Sequence, residues 1–252
     1  MSLARVAVAL FGIVLLYPLT GISAPIGPWR WDDDVMEPTI ASLRISLELT
    51  TLAMLIVVIL GTPVAYYIAR SSFRERVMWQ AVVLLSVLLP SLASGLLLVL
   101  SFGRLAPVGQ LLVRLGVDTT NSPTSFVGTE VYVSIGYYVL AAIAAFDSVP
   151  LRLERHAALL GENAFGVFLR ITFPLARTGL AVALSVAWVR ALGEFGAVLV
   201  TSYYPAGMPV QLWANLQTYG LAGVMPLLII FVLTALPLPW IVHVLAQRRE
   251  HA

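Results

Sequence analysis

The sequence predicts an all-α, polytopic membrane protein with six transmembrane helices and a long basic loop between the fourth and the fifth. Of its 252 residues, 60% are hydrophobic and only 11% are charged. Soluble domains are nearer about half apolar and about a quarter charged. The apolar residues run in stretches of the roughly 20 that a helix needs to cross a bilayer. The arginines gather on alternate connecting segments, as they do on the cytoplasmic side of membrane proteins.

Six stretches qualify as spans, at about 3–23, 42–69, 77–102, 127–146, 179–201 and 224–246, making one membrane domain over 1–252. Turn formers such as Ala24-Pro25-Ile26-Gly27-Pro28 and Asn121-Ser122-Pro123 separate them. Arg5, Arg70, Arg74, Arg76, Arg152, Arg155, Arg170, Arg177, Arg248 and Arg249 fall on one side of this arrangement. Arg30, Arg44, Arg104 and Arg114 fall on the other. The asymmetry predicts that the first group is cytoplasmic, with both termini and the 150–177 loop. The acidic run Asp32-Asp33-Asp34-Val35-Met36-Glu37 is then outside. The first stretch admits a second reading, because Arg5, its apolar core and the small pair Ser23-Ala24 also fit a cleaved signal peptide. The other spans stand under either reading.

Composition excludes several chemistries. There is no Cys, so disulfides, thiolate metal sites and cysteine nucleophiles are ruled out. The fifteen basic residues are all Arg, so no Gly-x-x-x-x-Gly-Lys phosphate loop exists. The net charge of +2 reports topology and does not imply nucleic acid. The histidines are His156, His243 and His251, and no His-Glu-x-x-His sequence occurs. Ser94-Gly95 lacks the Gly two places before the Ser that an intramembrane serine protease would carry. No repeat relates the first three spans to the last three, which argues against a carrier driven by an ion gradient.

The loop over 150–177 is a polar interruption in an apolar chain. Leu151, Leu153, Ala157, Ala158 and Leu160 offer an apolar side, and Arg152, Glu154, Arg155 and His156 a polar one. That pattern predicts a short amphipathic helix. Gly161 can end it in a left-handed conformation closed to most residues. Glu162-Asn163 then begins a second short helix with Phe165, Phe168 and Ile171, which Pro174 ends because proline lacks a backbone donor. Loop chemistry alone also fits an interfacial segment resting on lipid headgroups.

A resemblance to a known family favours the first of these. Permeases of ATP-binding-cassette (ABC) transporters grip their ATPase through a loop reading Glu-Ala-Ala, three residues, Gly, nine residues, Ile, one residue, Leu-Pro. Here Ala157, Gly161, Ile171 and Pro174 match, while Arg155, His156 and Phe173 depart. The loop therefore resembles the coupling segment of that family. Further segments resemble the molybdate, tungstate and sulfate permeases. These are Gly61-Thr62-Pro63-Val64-Ala65-Tyr66 with Ala69-Arg70, Leu89-Pro90 with Gly95 and Phe102-Gly103-Arg104, and Arg190-Ala191-Leu192-Gly193-Glu194-Phe195-Gly196-Ala197. Glu130 stands where the family often has Gln, Gly136 where Pro is usual, and Leu140 and Ile143 where basic residues are common.

The resemblance implies a homodimeric permease in a prokaryotic cell membrane that imports a tetrahedral oxyanion, molybdate or tungstate first, by alternating access. The alternative is sulfate, thiosulfate or another small solute. It implies no cofactor in this chain, with ATP and Mg bound by a separate ATPase dimer and the anion delivered by an extracytoplasmic binding protein. The acidic run at Asp32 is open to a contact with that protein or to simple solvation. The coupling residues implied are Arg155, His156, Ala157, Gly161, Glu162, Asn163, Ile171 and Pro174.

Arg190 and Glu194 stand inside the fifth apolar stretch, where an Arg costs roughly 2.5–3.5 kcal/mol by insertion scales. Their i,i+4 spacing puts them on one helical face, so they can neutralise each other. A structural pin and a gate on the pathway are both open readings. Conduction needs weak binding, which makes the hydroxyls of Thr50, Thr51, Ser91 and Ser94 pathway candidates. Pro63, Pro90 and Gly95 are candidate hinges.

Overall fold

The computed structural model describes residues 2–23, 28–235, 237 and 239–241, and every described element is helical. In chain order the helices are α1 (Ser2–Leu16), α2 (Asp33–Arg70), α3 (Phe73–Leu88), α4 (Ser91–Phe102), α5 (Pro107–Arg114), α6 (Pro123–Asp147), α7 (Leu151–Leu159), α8 (Ala164–Val167), α9 (Phe173–Leu192), α10 (Gly196–Thr201) and α11 (Met208–Ala235). A 3-10 segment, Tyr17–Ser23, extends α1, and a π segment, Phe168–Thr172, joins α8 to α9.

The centre is a layer of α2, α6 and α9. On α2 the buried positions Val35, Thr39, Ser42, Ser46, Thr50, Met54, Val57, Gly61, Ala65 and Ile68 recur at helical spacing, and most are small. Small residues let backbones approach where lipid supplies no hydrophobic drive. A Cβ on Gly61 would stand 2.7 Å from the ring of Tyr138 on α6, and Thr62 Oγ1 lies 2.7 Å from the Tyr138 hydroxyl. A Cβ on Gly179 would stand 2.5 Å from Ala145 Cβ, which sets the contact of α9 with α6. Gly136, where the related family favours Pro, lets α3 close on α6, because a Cβ there would meet Ser86 Oγ at 2.5 Å.

The described helices include five long and apolar enough to cross a membrane, and a sixth if the bent pair α3–α4 counts as one span. Several expected boundaries change. The third stretch is bent by 104° between Leu88 and Ser91. Pro90 lacks an amide donor, and Leu89 before it is driven to an extended φ −65°, ψ 131°. Pro63 and Gly95, by contrast, lie inside unbroken helices. The fifth stretch begins far earlier than 179, since α8, the π segment and α9 run on from Ala164. Pro174 does not end the second loop helix as expected. It occupies the opening turn of α9, where a missing donor is harmless. The same stretch stops at Leu192 and restarts as α10, so 179–201 is not one helix.

The expected sixth stretch at 224–246 falls in the second arm of α11, which starts at Met208 and is broken at Gly220. Gly220, at φ 65° and ψ −161°, folds α11 into a helical hairpin. Asn215 Nδ2 donates to Gly223 O at 3.2 Å across the bend, and Arg30 caps its outside with its guanidinium 4.5 Å from the Tyr219 ring centroid. Residues 242–246 of the expected span lie outside the described residues. No part of the apolar segment Arg5–Ile22 is buried against the rest of the chain. Helix α5 was not expected; Pro107 at its start and its apolar side account for it.

A close backbone approach joins α4 to α10. A Cβ on Gly95 would lie 2.7 Å from Ala197 Cα and 2.9 Å from Ala197 O. Gly95→Ala should therefore lower thermal stability by about 1–3 kcal/mol, the range for overpacking. Gly128→Ala, whose methyl meets nothing within 4 Å, should not. Thermal unfolding of the two purified variants in detergent checks the difference.

Candidate functional site

At the end of the bundle marked by Arg70, the loop folds as two short helices around Gly161, whose φ is 94°. Its left-handed turn follows α7, as the spacing predicts. Asn163 caps α8 by accepting from Gly166 N at 2.8 Å, and Glu162 forms an ion pair with Arg170. Arg155, His156, Gly161, Asn163 and Pro174 are exposed; Glu162 and Ile171 are half-buried; Ala157 is buried. The exposed apolar residues are large: Leu159 is 84% exposed, Leu160 87% and Phe165 71%. Exposed Leu and Phe in that number form an apolar knob.

Helix α7 touches the bundle through Glu154 and Ala157, its only buried residues. The Glu154 carboxylate accepts from Arg70 Nη2 at 2.6 Å, Arg70 Nε at 3.0 Å and Thr172 Oγ1 at 2.8 Å. In the sequence Arg70 marks topology and a family-like segment, and Glu154 the polar side of an amphipathic helix. A pair 84 residues apart leaves no local signal.

The second polar locus lies where α4, α9 and α10 meet. Arg190 is in the last turn of α9, and Glu194 is in the break before α10 with its side chain wholly buried. Arg190 Nη1 donates to Glu194 Oε2 as the i,i+4 spacing allows, and its guanidinium lies 5.5 Å from the Tyr137 ring centroid. Glu194 Oε1 accepts from Ser91 Oγ and, at 2.7 Å, from Ala197 N. One carboxylate thus holds the end of α9, the start of α10 and the start of α4. A carboxylate on the opening amides of a helix also sits at the positive end of its dipole.

The remaining hydroxyls divide. Thr50 is buried and donates to Glu130 Oε1 at 2.9 Å, while Glu130 Oε2 has no hydrogen-bond partner. Thr51 turns outward and donates to Leu47 O at 2.6 Å, so it does not join Thr50. Ser94 is buried in α4 beside the Gly95 contact. Glu130, flagged in the sequence only as a departure, is a carboxyl inside a span, and charge within an apolar stretch is a signal that warrants singling it out. Nearer the N-terminus of α6, a cavity of about 390 Å³ opens between α4, α5 and α6, lined by Leu98, Phe102, Tyr132, Ile135, Thr129 and Thr201 among others.

Residues 61–251 match the family described as binding-protein-dependent transport system inner membrane component. The chain is 37% identical over 240 residues, 94% of its length and 88% of the relative's, to a probable molybdenum ABC transporter permease protein of Haloferax volcanii. It is 30% identical to the molybdenum transport system permease protein ModB of Mycobacterium tuberculosis, covering 90% of this chain and 89% of that one. To the molybdate/tungstate transport system permease protein WtpB of Thermococcus kodakarensis it is 29% identical, over 84% and 80%. In fold it resembles a bacterial ABC transporter involved in import of the acidic polysaccharide alginate, with a TM-score of 0.75, 18% identity and coverage of 98% and 94%. Its all-helical build with several apolar helices agrees with that likeness in fold, and ABC transporter permeases are transport subunits, not enzymes. The chain belongs to the family of inner membrane components of binding-protein-dependent transport systems, as the permease subunit of an ABC importer.

Proposed function

We propose that this permease imports a tetrahedral oxyanion, molybdate or tungstate, by ATP-driven alternating access. The exposed apolar knob of Leu159, Leu160 and Phe165 around Gly161 carries the coupling part of this reading. It presents large side chains on a loop tied back to three long helices, as a seat for a partner ATPase requires. The names of the relatives, molybdenum and molybdate/tungstate permeases, support the substrate class.

Two copies of the chain would enclose the pathway, with a cytoplasmic ATPase dimer on the loops and a binding protein at the opposite face. ATP would draw the ATPases together and carry the loops with them, opening the spans outward; hydrolysis would reset them. A ligand drives such a cycle only through unequal affinity for its two states. The pairing of Arg190 with Glu194 fits transit rather than capture, because the charge on Arg190 is met within the chain.

The test is ATP hydrolysis by the permease and its cognate ATPase in lipid vesicles, titrated with binding protein loaded with each oxyanion. Stimulation by molybdate or tungstate and not by sulfate is expected. Stimulation by sulfate alone would transfer the assignment to sulfate or thiosulfate. No stimulation by any oxyanion, with the complex intact, would overturn the oxyanion assignment.

A further inference from the structure

The coupling loop is attached to the bundle at a polar junction between α7, the end of α2 and the π segment. Arg70 is the last residue of α2, a helix of 38 residues spanning about 57 Å at about 1.5 Å per residue. Its guanidinium holds both oxygens of Glu154 on α7 and also donates to Phe146 O on α6 at 3.1 Å. This two-pronged geometry suits Arg and not Lys. From the other side, Thr172 Oγ1 reaches Glu154 from the π segment, and Thr172 is fully buried. Phe168–Thr172 is wound with one more residue per hydrogen-bonded turn than an α-helix, and such segments are frequent at functional sites. Beneath the junction Phe168 stacks edge-on against Tyr66 at 5.2 Å, and Tyr66 against Phe146 at 5.4 Å.

The other ion pairs at this end do not serve the same purpose. Arg76–Asp147 ties α3 to α6, and Arg170–Glu162 lies within the loop. Both are more exposed than Arg70–Glu154, whose side chains are 17% and 10% exposed. Exposed pairs are screened and contribute little. Among the described residues, only the Arg70–Glu154 ion pair joins α7 to the long helices.

We infer that Arg70, Glu154 and Thr172 form a clamp that makes α7 and the adjoining ends of α2, α6 and α9 move as one body, with Glu154 as a positioning residue for coupling. The inference rests on the coupling role proposed above. A push on the Leu159–Leu160 knob then reaches α2 through the carboxylate of Glu154. Without the clamp, α7 pivots about Ala157 and the displacement is lost before it reaches the spans.

The readout is molybdate transported per ATP hydrolysed, by the complete complex with loaded binding protein in vesicles. Glu154→Gln keeps the shape and an acceptor for Thr172 but removes the charge that holds Arg70. It should lower the ratio at least about fivefold, the low end of measured couplings between sites. Arg76→Ala should leave the ratio unchanged. The charge exchange Arg70→Glu with Glu154→Arg should restore it. So should Arg70→Cys with Glu154→Cys bridged by a short bis-maleimide, a clean reaction in a chain without Cys. An unchanged ratio in Glu154→Gln, an equal fall in Arg76→Ala, or restoration by neither repair overturns the clamp. Leu160→Glu separates the two readings. If it releases the ATPase while Glu154→Gln keeps the full ratio, the clamp alone fails. If it leaves the ATPase bound, the coupling role and the clamp fall together.

Discussion

Glu194→Ala should destabilise the protein by about 3–5 kcal/mol, the cost of removing one member of a buried ion pair. The carboxylate is wholly buried and meets Arg190, Ser91 and the amide of Ala197. Its loss leaves the guanidinium, 25% exposed, facing Tyr137 with no countercharge, and leaves the opening of α10 uncapped. Glu194→Gln separates the two contributions. The amide oxygen can still accept from Ala197 N and Ser91 Oγ while the charge on Arg190 goes unmet, so an intermediate loss is expected. Arg190→Ala leaves the opposite orphan, a buried carboxylate, and should cost as much as Glu194→Ala. The double variant should recover part of that cost, because neither charge is then stranded. Thermal unfolding of the four variants and the unaltered protein in one detergent measures each term. Equal stability of Glu194→Ala and the unaltered protein would remove the junction as a structural centre.

Gly161→Val should abolish coupled transport while leaving membrane insertion intact. The position is open, with no heavy atom within 4 Å of an added Cβ, so the penalty is conformational and not steric crowding. At φ 94° an L-residue pays roughly 1–2 kcal/mol, and a β-branched one more. That is enough to move the turn, which sets the path of the chain from α7 into α8. Gly161→Asn should retain most transport, since Asn tolerates the left-handed region by local hydrogen bonding. Uptake and ATP hydrolysis measured together distinguish the outcomes. The order Gly, Asn, Ala, Val in transport per ATP is expected, with hydrolysis far less affected. Full uptake with Gly161→Val would count against the loop as the coupling element.

Local chemistry was legible wherever it is written in consecutive residues. The Gly161 turn and the amphipathic α7 follow from local preferences that need no tertiary partner. The i,i+4 pairing of Arg190 and Glu194 was equally visible, because both residues lie on adjoining turns. The error at Pro174 had the same local basis. Proline ends a helix that would continue before it, but it also begins one, and only the π segment carrying the chain into α9 decides which.

The sequence by itself determined the class of molecule, the number of apolar segments and the composition of the loop. Hydropathy sums over a window and so reports how much of the chain avoids water. Direction is not contained in that sum. Only the tertiary structure decided that the third stretch turns through 104°, that α10 packs its backbone on Gly95, and that Gly220 folds the last stretch on itself. The same holds for Arg70 and Glu154, which pair across 84 residues because α2 and α6 bury their facing sides against each other and bring their ends together. Burial of those faces is what local sequence specifies, while which charges then meet depends on helix lengths and crossing geometry that no short window holds.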